Sequence, residues 1–149
     1  MAGAPVTVEP GCSTRTNGAA AQGTRNVSTE PPRCPRSSTP LSPLRIGGVN
    51  TDVCEDCGGL WLDRLELARF ELPSSAFGDA LVAHLAQFPP ALADHSVRLN
   101  CPRHRDVVML RRRFSAAVPV AIDECPQCGG VWLDSDELAQ IRGHARAGP

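Results

Sequence analysis

The chain contains no Lys and no Tyr, and only 4% of its residues are aromatic. All fifteen basic residues are Arg, yet the net charge is -1. A balance so close to neutral gives no whole-molecule field that would draw in nucleic acid. Arg favours bidentate contacts to phosphate or carboxylate. Here the Arg are spread along the whole chain, as a GC-rich genome would also produce. Few large side chains mean that a single core spread over 149 residues would be thin. Units of about 40 residues need a staple such as a metal ion or a disulfide. No stretch reaches the roughly 18 apolar residues of a membrane span. The opening "MAGAPVTVEPG" has neither a basic start nor an apolar run, so no signal peptide is expected and the expected compartment is the cytoplasm.

Against these absences stand seven Cys. In a reducing compartment, paired Cys are read as metal ligands before disulfides. Their setting is an internal repeat. "CEDCGGLWLDRLEL" at 54–67 matches "CPQCGGVWLDSDEL" at 125–138 in nine of fourteen positions, with an offset of 71. Each copy has a Cys-Pro-Arg upstream, Cys34 before Cys54 and Cys101 before Cys125. The organisation that follows is a disordered tail at 1–32, a first unit at 33–71, a helical linker at 72–97, a second unit at 98–143 and a C-terminal tail at 144–149. The tail reading of 1–32 rests on its Ala, Gly, Thr, Pro and Ser content without period.

Local patterns place elements inside this frame. "PLSPLRI", the Gly47-Gly48 turn and "VNTDV" predict a hairpin leading into Cys54. "DVVMLRRRF" and "VPVAID" predict a longer hairpin leading into Cys125, with Pro119 marking an edge or bulge. Asp63 with Glu66, and Asp134 with Glu137, have capping-box spacing, which predicts short helices near 64–70 and 135–142. Between the units, Phe77, Leu81, Leu85 and Phe88 share one helical face, with Ser75 as N-cap and Pro89-Pro90 as the stop. His84 on that helix has no ligand partner at helical spacing and is expected to be an ordinary imidazole. His95 and His144 fall in the linker and at the C-terminus.

A Cys-x-x-Cys-Gly-Gly turn lets two thiolates face one ion while backbone N–H groups donate to the sulfurs. Gly58-Gly59 and Gly129-Gly130 supply positive φ and room for close approach. Soft sulfur donors in a tetrahedral set point to zinc. The second unit offers Cys101, His104, Cys125 and Cys128, a closed Cys₃His set, and one zinc is expected there. The first unit offers Cys34, Cys54 and Cys57, with Ser37 where the second has His104. Three readings stay open for it: a fourth ligand from elsewhere (water, Cys12 or Asp56), a degenerate site held by packing alone, or an open catalytic position. Three thiolates make a poor Lewis acid, which weighs against the last. A second zinc therefore remains open. Trp61 and Trp132 are expected to plug the space beside each metal turn; base stacking is the other reading.

These motifs resemble the bacterial transcription factor zinc-finger, or TFIIB-like zinc-ribbon, family. The resemblance is carried by "CPRSSTPLSPLRIGGVNTDVCEDCGGLWLDRLEL" and "CPRHRDVVMLRRRF…VPVAIDECPQCGGVWLDSDEL". It implies a small α+β metal-stabilised fold: two zinc-ribbon modules, each with a β-hairpin and a short following helix, joined by a linking helix. The family's second Cys is Ser37 in one copy and His104 in the other. Glu55 replaces a usual Pro, and Leu65 and Asp136 each replace a usual Gly. These last changes are expected to alter surface more than fold.

Function is less legible than metal chemistry, since fold does not settle it. One reading is a non-enzymatic protein-interaction module that presents Asp63, Glu66, Asp134, Asp136 and Glu137 to a protein partner. The alternative is nucleic-acid binding through the second hairpin, where Arg103, Arg105, Arg111, Arg112 and Arg113 are the candidate contacts. Consecutive Arg on a strand alternate faces, so 111–113 do not all point one way. No nucleotide-binding loop or nucleophilic triad is present, and no enzyme is expected. Oligomeric state is not legible.

Overall fold

The computed structural model describes residues 6, 8–10, 30–90 and 94–147. The proposed tail residues 1–5, 7 and 11–29 lie outside them, and with them Cys12. Within the described residues the chain runs β1 (Val8–Pro10), β2 (Ser42–Ile46), β3 (Val49–Val53), β4 (Leu60–Leu62), α1 (Ala76–Leu85), β5 (Leu110–Arg113), β6 (Ala121–Glu124), β7 (Val131–Leu133) and α2 (Glu137–Ala147). No helix among them is long and apolar enough to cross a membrane.

Both hairpins form. Gly47 and Gly48 take φ of +58° and +77°, the pair of positive values that a two-residue turn between twisted strands requires. In the second hairpin the strands are shorter than the sequence pattern, and Pro119 stands before β6 rather than within it. Pro lacks the N–H a ladder needs. Phe114 and Ser115 bond instead to the carbonyls of Val120 and Val118.

The two ribbons share one sheet. Its order is β1-β2-β3-β4-β7-β6-β5, antiparallel throughout. Each repeat contributes a three-strand meander, and the meanders meet at their last strands. There Leu60 pairs with Leu133, Trp61 with Trp132 and Leu62 with Val131. The repeat therefore becomes a pseudo-two-fold about the β4–β7 seam. Strand alternation then divides the core in two. Leu44, Ile46, Leu60, Leu62, Ile122 and Leu133 bury on the face that carries Phe70, Leu81 of α1, and Leu138 and Ile141 of α2. Trp61 and Trp132 bury on the other face, among the cysteines, Leu99 and Met109.

The linking helix is capped as the sequence predicts, with the Ser75 hydroxyl accepting from the Gly78 N–H at 3.1 Å. Leu81 is fully buried, whereas Phe77 is half exposed and its ring lies over Gly47. His84 makes only local contacts, an edge-on ring contact with Phe88 and a hydrogen bond with Gln87.

The short helices after each Trp-Leu-Asp depart from expectation. The first, predicted at 64–70, is a turn followed by a single 3₁₀ turn, Leu67–Arg69. The second runs on to Ala147, through residues read as a C-terminal tail. Only half of each capping box forms. Glu66 accepts from the Asp63 N–H and Glu137 from the Asp134 N–H, each at 2.7 Å. The two Asp carboxylates turn elsewhere, to the partners described below. Leu65 and Asp136, at the family's Gly positions, take φ of +71° and +72°. The backbone keeps the glycine conformation although the side chain has changed. The cost is strain rather than a change of surface alone.

Arg142 ties α2 to the first ribbon. It is 3% exposed and donates to the carbonyls of Phe70, Leu72 and Ser75 and to the Asp79 carboxylate. These carbonyls end the 3₁₀ turn and precede α1, where backbone acceptors would otherwise be buried without partners.

Candidate metal centres

In the second ribbon, two turns approach each other from the hairpin base and from the β6–β7 connection. Cys101 N–H bonds to the Val107 carbonyl at 2.9 Å, and Cys125 N–H to the Gly130 carbonyl at 2.9 Å. The backbone N–H of His104 points at Cys101 Sγ (3.3 Å) and that of Cys128 at Cys125 Sγ (3.5 Å). The donor atoms of Cys101, His104, Cys125 and Cys128 all lie within 4.8 Å of one another. Cys101 Sγ is 3.8 Å from His104 Nδ1 and 3.9 Å from Cys128 Sγ. A zinc tetrahedron with bonds of about 2.3 Å has sulfur–sulfur edges of about 3.8 Å. Donor type, count and spacing therefore fit zinc.

The first ribbon repeats the construction. Cys34 N–H bonds to the Thr39 carbonyl and Cys54 N–H to the Gly59 carbonyl. The N–H groups of Arg36 and Ser37 both point at Cys34 Sγ at 3.4 Å. Cys34, Cys54 and Cys57 are buried with their sulfurs within 4.8 Å, and Cys34 and Cys57 are 3.7 Å apart. Ser37 Oγ lies 3.5 Å from Cys54 Sγ. All six described Cys are free thiols. Sulfur separations near 3.8 Å exclude disulfides, whose bond is about 2.05 Å. Three thiolates and a neutral donor fit the same ion, with a weaker fourth corner.

Electrostatics agree with an ion-binding role. The hydrogen bond from Cys57 pulls the Cys34 thiol down to about 5 against the effect of burial, with the Ser37 and Arg36 N–H groups assisting. The same contact drives Cys57 upward. Burial pushes Cys101 up to about 12. Clustered buried thiols cannot all ionise unaided; a dication in their midst supplies the missing charge.

Each ribbon is locked by the other. Arg36 of the first Cys-Pro-Arg forks onto Asp134 of the second Trp-Leu-Asp, at 2.5 and 2.7 Å. Arg103 of the second Cys-Pro-Arg forks onto Asp63 of the first, at 2.6 and 2.9 Å, and also reaches Asp52. Asp63 and Asp134 accept in addition from the indole N–H of Trp61 and Trp132. Burial disfavours the Asp134 carboxylate, yet the Arg36 and Trp132 donors hold its pKa below the ordinary value. Sequence reasoning missed this clamp. Its signal was present, since Arg and Asp recur at matching positions of both copies.

The hairpin arginines are mostly engaged. Arg103 is in the clamp. Arg111 pairs with Asp123 at 3.1 Å and with the carbonyls of His95 and Val97. Arg112 pairs with Glu124, and Arg105 with Glu30 at 3.3 Å. Of the five candidate contacts, Arg113 alone has no ion pair among the described residues. The acidic side chains read as a presented face are also altered. Asp134 and Glu137 are buried, and Asp63 is bound by Arg103. His95, assigned to a plain linker, lies with Asp134 and Glu137 in a three-donor group. Arg36 already occupies that carboxylate.

The sequence model described as Transcription factor zinc-finger matches residues 33–71 and 100–142, together more than half of the chain. The chain belongs to this family. It carries two tandem copies, and the two Cys-rich clusters stand where zinc ribbons hold zinc. No curated protein and no solved structure matches the chain.

Proposed function

We propose that this zinc-binding ribbon protein is a non-enzymatic module that binds a protein partner. The observation that carries the reading is the engagement of the hairpin arginines. Four of the five are held by Asp or Glu of the same chain. A guanidinium already forked onto a carboxylate must break that pair before it serves a phosphate. Apolar groups, by contrast, stay available. Leu110 of the outer edge strand β5, and Val97 and Val108 before it in the chain, are each about half exposed. The non-enzymatic reading rests on donor chemistry. A closed set in the second ribbon leaves no position for substrate, and three thiolates in the first leave a weak Lewis acid.

Fluorescence anisotropy of labelled DNA and RNA against the zinc-loaded chain, across a salt series, tests this. Weak binding without preference for either polymer is expected. Tight binding with a steep salt slope, lost in Arg113→Ala, would replace the reading with a nucleic-acid role. A photo-crosslinker at Leu110 should meanwhile give a discrete protein adduct in cells.

A further inference from the structure

We propose that Ser37 is the fourth ligand of the first ribbon's metal site, made competent by a hydroxyl relay ending on Asp56. The geometry comes first. With zinc–sulfur bonds of about 2.3 Å and zinc–oxygen bonds of about 2.0–2.2 Å, a tetrahedral site has a sulfur–oxygen edge of about 3.5–3.7 Å. Ser37 Oγ stands 3.5 Å from Cys54 Sγ. It also occupies the position in its Cys-Pro-Arg turn that His104 holds in the second ribbon, three residues after the first Cys.

The relay settles where the hydroxyl proton goes. Ser37 Oγ donates to Thr39 Oγ1 at 3.1 Å, and Thr39 Oγ1 donates in turn to the Asp56 carboxylate. With its proton directed to Thr39 Oγ1 and one lone pair accepting from the Thr39 N–H at 3.4 Å, the Ser37 oxygen keeps one lone pair for the ion. A carboxylate at the far end of the chain raises the electron density on the oxygen. Supporting groups orient metal-bound His in the same way. Thr39 and Asp56 have no counterparts in the second ribbon, where Asp106 and Gln127 stand at the matching positions of the two metal turns, 67 and 71 residues on. His104 needs no such help to be a good ligand. The relay is thus a feature of the copy whose ligand is weak.

Two inequivalent sites follow. The second ribbon holds its ion with three thiolates and an imidazole. The first holds its ion with three thiolates and a hydroxyl near solvent, and releases it first.

The test uses the full chain. Bound zinc is counted after dialysis, affinities are measured by competition with a chromophoric chelator, and cadmium-113 NMR reports each site separately. The wild type should bind two zinc ions with distinct affinities. Thr39→Val and Asp56→Asn should weaken the weaker site by about tenfold, and Ser37→Ala by more, with the tighter site unmoved. Ser37→Ala should shift one cadmium resonance only, and Ser37→Cys should restore tight binding there. A wild type with one zinc overturns the proposal. So does Ser37→Ala with unchanged affinity and resonance, which would place water at the fourth corner. A Cys12→Ser variant that loses the weaker site would overturn it too, by assigning that corner to Cys12.

Discussion

Trp61 and Trp132 face each other across the β4–β7 seam, and each indole fills the space above the other repeat's second glycine. A Cβ on Gly130 would overlap the six-membered ring of Trp61, and one on Gly59 that of Trp132. Neither glycine has a positive φ; what they supply is room. Each Trp is thus a plug, as its sequence implies, but for its partner's turn rather than for its own.

Gly130→Ala should accordingly destabilise the chain by about 1–3 kcal/mol, the range for overpacking a filled core. Gly59→Ala should do the same, through the other Trp. Denaturant midpoints, with Trp emission as the probe, check both. Gly48→Ala is a control for backbone strain alone, because nothing lies within 4 Å of a Cβ there.

Removing Arg36 leaves Asp134 buried without its cation. The pair has side chains 12% and 5% exposed, whereas Arg103–Asp63 has 26% and 43%. Truncating one member of a buried pair costs about 3–5 kcal/mol. Arg36→Ala should fall near that range, and Arg103→Ala should approach it, because Arg103 also holds Asp52, whose side chain is 6% exposed. The two unfolding curves decide the order.

At Leu65 the backbone is left-handed and the side chain is 79% exposed. That conformation costs an L-residue about 1–2 kcal/mol, and glycine's freedom in the unfolded chain offsets about 0.4–1. Leu65→Gly should therefore stabilise by about 0.5–1 kcal/mol. Asp136→Gly should gain less, since Asp tolerates this region better. Thermal denaturation of both variants measures the difference.

Burial pushes the Glu137 carboxyl up to about 8 from its ordinary 4.5, with the nearby Asp134 and Asp123 charges adding to the effect. Between those values the folded state binds a proton that the unfolded state has released. Stability from this group is therefore lost as pH rises through the window. Glu137→Gln keeps the acceptor for the Asp134 N–H and removes the titration. Its stability should match wild type near pH 5 and exceed it increasingly towards pH 9. Comparing the two at each pH cancels the loss of metal in acid, and parallel curves would refute the assignment.

Much of the site was legible because metal turns are local. Cys-x-x-Cys-Gly-Gly needs only six residues to place two sulfurs, and the hairpin that brings the other pair is written in alternation and in Gly47-Gly48. The capping box after Trp61 was misread for an equally physical reason. Spacing alone gave Asp63 to its own backbone, whereas Arg103, forty residues away, competes for the same carboxylate and wins with two charge-assisted bonds.

By itself, then, the sequence determined the two Cys-rich clusters, the two hairpins, the linking helix and the duplication, because each depends on residues close together in the chain. Only the tertiary structure decided that the two ribbons are one sheet, that Arg36 and Arg103 exchange partners across it, and that four of the five candidate hairpin arginines are already paired with carboxylates. Those outcomes join residues up to 98 positions apart. They follow from the pairing of two short apolar strands, Leu60–Leu62 and Val131–Leu133, that neither ribbon can bury alone.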